Sequence, residues 1–177
     1  FWEHSMAVAA GASIAARFAH VSPGDALCAG LLHDLGSALL YRLDRDHYNA
    51  RLAQGLDPQA YLASEHDAYG GDHAVIGAFA LDAWKLPVSI CDAIRNHHRD
   101  PTSVDDKLTR VVIAGEALAS AAYCDPETGV RPHGHEPVVD PTDAFRAMGL
   151  TAISVENLVR RTAEEAEALD AVLSSVR

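Results

Sequence analysis

Aromatic side chains make up only 6% of this 177-residue chain, and its three cysteines, Cys28, Cys91 and Cys124, are odd in number and widely spaced. That usage excludes a disulfide framework and any zinc-finger spacing, and it suits reduced thiols in a cytoplasmic protein. Basic residues are scarce as well: 14 Lys and Arg stand against 25 Asp and Glu, a formal charge of -11. Such a balance repels a phosphate backbone unless cations are held locally, so non-specific nucleic-acid binding is excluded. No apolar run is long enough to cross a bilayer, since the longest, around Met6 to Ala16, is interrupted by Gly11 and Ser13. The chain opens at Phe1 with no signal peptide, and it reads as a piece of a longer protein.

What is abundant is Leu, Ala and Val, with Gly and Pro gathered in short clusters, an all-α profile for one compact domain over residues 1–177. Helical periodicity predicts a helix from Glu3 to His20, a second helical stretch from Pro23 to Leu43, and shorter helices over Asp44–Gln54 and Pro58–Ala68, the last carrying Tyr61, Leu62 and Glu65. Asp72 is a suitable N-cap for a helix from His73 to Trp84, and Pro87 opens one that ends at Asn96-His97-His98. A long helix follows over Asp105–Tyr123, which completes a core over residues 1–123. Residues 124–142 read as a loop whose His133 and His135 are solvated, and residues 143–177 as a helical extension in which Ser154 caps the final amphipathic helix.

The chemistry starts at His33-Asp34, set in the apolar run AGLLHDLGSALL. A carboxylate buried there costs several kcal/mol unless something positive answers it, either a metal or an arginine. Neighbours on a helix point about 100° apart, so the two side chains are expected to converge on a common ion rather than to lie side by side. Gly30 and Gly36 flank the pair and predict that other backbones press closely on it.

Further residues of ligand type recur near element ends or on apolar faces: His4, His73, His97, His98 and Glu116. Each has an ordinary explanation alone, such as a frayed end, a helix cap or a solvated side chain. Together with His33 and Asp34 they form a set suited to two divalent cations of the kind imidazole and carboxylate share: iron, manganese, zinc or nickel. Asp34, with two oxygens, can bridge both.

The order and wording of these stretches resemble the HD superfamily of metal-dependent phosphohydrolases, and more closely its HDOD branch, the HD-related output domain of bacterial signalling proteins. The resemblance is carried by FWEHSMAVA (Phe1–Ala9), AGLLHDLGSALL (Ala29–Leu40), GGDHAVIGAFALDAWKLP (Gly70–Pro87), AIRNHHRDP (Ala93–Pro101) and VVIAGEALAS (Val111–Ser120), about two thirds of the chain. It implies an HD-domain-like helical bundle in which His4, His33, Asp34 and Glu116 match the basic metal set, with Glu116 where aspartate is commoner. His73, His97 and His98 match the additional histidines of the related HD-GYP phosphodiesterases. Two departures stand out: Ser37 replaces the lysine of the HDxGK pattern, and Arg99-Asp100-Pro101 replaces Gly-Tyr-Pro, so cyclic-dinucleotide specificity does not carry over.

Two functions follow as expectations. One is a metal-dependent phosphohydrolase or phosphodiesterase acting on a phosphorylated small molecule or nucleotide, with Asp34 as its catalytic residue and Arg95 or Arg99 holding the phosphate. The other is a non-catalytic signalling module whose metal site is structural or sensing and whose output is contact with a protein partner.

Overall fold

The computed structural model describes residues 2–124 and 139–175; His133 and His135 lie outside them. Among the described residues every regular element is helical. The first helix, α1 (Trp2–Ala19), is buried on all sides from Ser5 to Ala16, as an evenly apolar helix must be. Its small side chains let α2 (Pro23–Leu32), α8 (Lys107–Ala122) and α10 (Val155–Ser174) pack around it.

Between these run α3 (Leu35–Leu43), α4 (Arg45–Leu52), α5 (Pro58–Tyr69), α6 (His73–Ala83) and α7 (Val88–Arg95), then a single 3-10 turn at Pro101–Ser103. After residue 139 comes α9 (Pro141–Ala147). The starts of these elements were legible because short polar side chains cap them: Asp44, Asp57, Asp72, Asp106 and Asp140 each accept a hydrogen bond from a backbone N–H two or three residues on. Ser154 differs from expectation. It occupies the N-cap of α10, yet its hydroxyl accepts from the Asn157 side chain at 3.1 Å rather than from the backbone.

The main core joins Ile14 of α1, Ile94 of α7, Val111, Val112 and Leu118 of α8, Phe145 of α9 and Leu158 of α10. Phe145 is 1% exposed and meets Phe18 edge-on at 6.1 Å between ring centres.

The stretch Pro23–Leu43 is two helices, not one. His33 closes α2, and Asp34, at φ -100° and ψ 14°, turns the chain before α3 begins. Close packing demands the turn. A Cβ on Gly30 would lie 2.8 Å from Ala9 Cα of α1, and one on Gly36 would overlap the His73 carbonyl at the start of α6, so α2 and α3 are each drawn against a different neighbour.

Candidate metal centre

The break between α2 and α3 is where the site residues gather. His4 stands in the first turn of α1, His73 is the first residue of α6, and His97 and His98 lie in the turn that follows α7. Asp34 is their common neighbour: its Oδ1 is 3.2 Å from His73 Nε2 and 3.8 Å from His97 Nε2, while its Oδ2 is 3.4 Å from His33 Nε2 and 3.9 Å from His4 Nε2. His33 and Asp34 therefore do face one another, contrary to the helical projection, because the backbone turns between them. The positive partner is imidazole; none of these ion pairs involves an arginine.

Two groups of donor atoms result, each within 4.8 Å of one another: Asp34, His73, His97 and His98 in one, and His4, His33 and Asp34 in the other. Asp34 belongs to both. Glu116 lies in neither, although its carboxyl senses the charges of His33, Asp34 and His73.

The proton positions follow from the backbone. His33 Nδ1 is 2.8 Å from the Gly30 carbonyl and His97 Nδ1 is 2.6 Å from the Ile94 carbonyl. A carbonyl only accepts, so each ring donates from Nδ1, and in its neutral form the lone pair then sits on Nε2. Both Nε2 atoms are buried and have no hydrogen-bond partner, which ordinarily costs about 1–3 kcal/mol apiece. A divalent cation on each donor group would satisfy one of them, and neutral imidazole locked by its far nitrogen is the form that binds a cation. The residues present thus fit a metal.

Electrostatics sort the rings. Burial pushes His97 down to about 3, reinforced by His33 and only partly opposed by Asp34. His98 is also held well below the usual histidine value, by burial and by the neighbouring rings of His97 and His73. Burial works to lower His73 too, but hydrogen bonds to Asp34 and Glu65, with the charges of both, hold it well above that value. His73 Nε2 lies 2.7 Å from His98 Nε2, so the protonated ring donates and the neutral one accepts. Burial would raise Asp34; His33, His73 and His4 together keep it well below the usual carboxylate range. Burial pushes Glu116 up to about 7.

Arg95 and Arg99 are exposed, and among the described residues neither side chain forms a hydrogen bond or ion pair with this centre. Glu65, read in the sequence only as a residue of the helix after Pro58, is not nominated there for the site. It is fully buried, and its Oε2 accepts from both the backbone N–H and the ring Nδ1–H of His73. The available signal was its place one turn after Tyr61 on the inner face of α5, which by itself marks only a buried polar residue.

No curated protein matches the chain. A crystal structure named "Putative phosphohydrolase", from Shewanella amazonensis SB2B, shares the fold with a TM-score of 0.70 at 20% identity, over 94% of this chain and 60% of that one. The chain thus spans less than two thirds of that relative's length. The HDOD domain model matches residues 1–100, more than half of the sequence and the part that holds every centre residue except Glu116. Motif order, helical fold and the shared aspartate agree with that match, and the chain belongs to the HDOD domain family.

Proposed function

We propose that this HDOD domain binds two divalent cations, one on each of the donor groups that share Asp34, and hydrolyses a phosphoester there within a signalling protein of the cytoplasm. The observation that carries the reading is the pair of buried, unpartnered Nε2 atoms on His33 and His97, turned toward one aspartate. Cations held by His4, His33, Asp34, His73, His97 and His98, with Glu116 facing them, supply Lewis acidity toward a phosphate oxygen and lower the pKa of a water. The chain's own part is to hold Asp34 ionised between two sets of rings and to keep His97 and His98 neutral. Arg95 and Arg99 are the proposed phosphate contacts; alanine at both should raise KM more than it lowers kcat. No helix among the described residues is long and apolar enough to cross a membrane, and a centre holding cations suits a phosphorylated small molecule or nucleotide.

The depth of the centre favours a second reading. Asp34 is 8% exposed, and Ser37, which stands where related HD-GYP enzymes carry lysine, is itself buried. Poor access and a missing phosphate contact suit a structural or sensing metal whose output is contact with a protein partner.

Elemental analysis of untreated protein, followed by a phosphoester panel with manganese or ferrous iron, separates the two. Turnover that disappears in a folded Asp34→Asn variant supports hydrolysis. Bound metal without turnover of any ester supports the sensing module, and absence of metal overturns both.

A further inference from the structure

A carboxylate placed in a protein interior is costly unless it is well satisfied, and Glu65 is only half satisfied. Its Oε2 accepts from the His73 backbone N–H at 2.9 Å and from His73 Nδ1–H at 2.6 Å, while Oε1 is buried without a hydrogen-bond partner. Close by, Arg51 of α4 is 3% exposed; its Nη2 donates to the Tyr69 hydroxyl at 2.8 Å, but Nε and Nη1 have no partner. The guanidinium lies 4.5 Å from the centre of the Tyr69 ring. Tyr61, one turn before Glu65, feels the charges of both Glu65 and Arg51, so all three belong to one buried cluster spanning α4 and α5.

Helix capping accounts for only part of this arrangement: Asp72 accepts from Val75 N and Glu65 from the His73 N–H, but the second bond of Glu65 goes to the ring. What Glu65 adds is control of the His73 ring. With its proton held at Nδ1, the ring must present Nε2 to Asp34 and His98.

Building on the metal-centre reading above, we propose that Glu65, in the same buried cluster as Arg51, is a positioning residue for cation capture, so that one carboxylate ties α5 to the state of the centre. A charge-assisted bond fixes the ring more firmly than a neutral acceptor can. Binding of the cation therefore orders α5 as well as the ring.

The test uses zinc as the probe on metal-stripped protein. Calorimetric titration should show Glu65→Gln binding zinc 10- to 100-fold more weakly than wild type, with an unchanged far-UV spectrum. Glutamine still offers an oxygen to the backbone N–H, so a purely structural role predicts equal affinity, and equal affinity overturns the proposal. A second measurement needs no variant. Hydrogen exchange of the wild type should slow over residues 58–69 when zinc is added; unchanged exchange there despite binding also overturns it. A wild type that binds no zinc, manganese or ferrous iron overturns the metal reading and this inference together, whereas binding that ignores Glu65 overturns the inference alone.

Discussion

His97 donates its Nδ1 proton to the carbonyl of Ile94 at 2.6 Å, three residues back at the end of α7. One bond thus finishes a helix and aims a lone pair. The same device recurs at His33 and Gly30, at the end of α2.

Because Asp34 belongs to both donor groups and His4 to only one, their substitution should separate the two sites. His4→Ala is expected to retain about one cation per chain and Asp34→Ala none, as read by elemental analysis after dialysis against a metal buffer. Equal loss in both variants would mean a single site.

Metal uptake should release protons. His73 Nε2 carries a proton in the metal-free chain, shared toward Asp34 and His98, and a cation must displace it. Zinc affinity is expected to rise with pH through the raised His73 value, with protons detected by calorimetry in buffers of different ionisation enthalpy.

The metal-free protein should be most stable near the unperturbed histidine pKa, about 6.5. His97 and His98 have depressed values, so below that pH the unfolded chain takes up protons that the folded one refuses, and stability falls. Glu116, raised to about 7, offsets one of those two protons down to about pH 4.5, leaving a slope of roughly 1 kcal/mol per pH unit. Above pH 6.5 the sign reverses: the raised His73 contributes stability that is lost as pH climbs through its folded value. Denaturant midpoints measured with chelator from pH 4.5 to 9 check the maximum.

Gly36→Ala should both destabilise and misplace the centre. Its Cβ would overlap the His73 carbonyl and fall 2.8 Å from Gly77 N, both backbone atoms that cannot swing aside. A loss of about 1–3 kcal/mol in stability is expected. Zinc affinity should fall with it, because α6 carries His73.

Phe145→Ala tests whether α9 belongs to the core. With 1% exposure and contact with Phe18, its truncation should cost about 3–5 kcal/mol by urea unfolding. A loss under 1 kcal/mol would place α9 outside the cooperative unit.

Much of this protein could be read from its residues in order. Helical class followed from apolar spacing, and helix starts followed from aspartates and prolines whose effects reach only a few residues. The ligand-type residues were recognisable because histidine and aspartate are unusual in apolar runs. Other features depended on residues far apart in the chain. The turn between His33 and Asp34 exists because Gly30 meets α1 while Gly36 meets α6, a conflict that no local propensity reports. Glu65 gains its meaning only when α5 is laid against the start of α6, and Glu116 stays outside the two donor groups because α8 places it at a greater distance. Residue types and local spacing thus determined the elements and nominated the ligands, whereas the packing of α1, α2, α6 and α7 decided which nitrogens and oxygens share one point in space, since contacts between distant segments are set by the shape of the whole core.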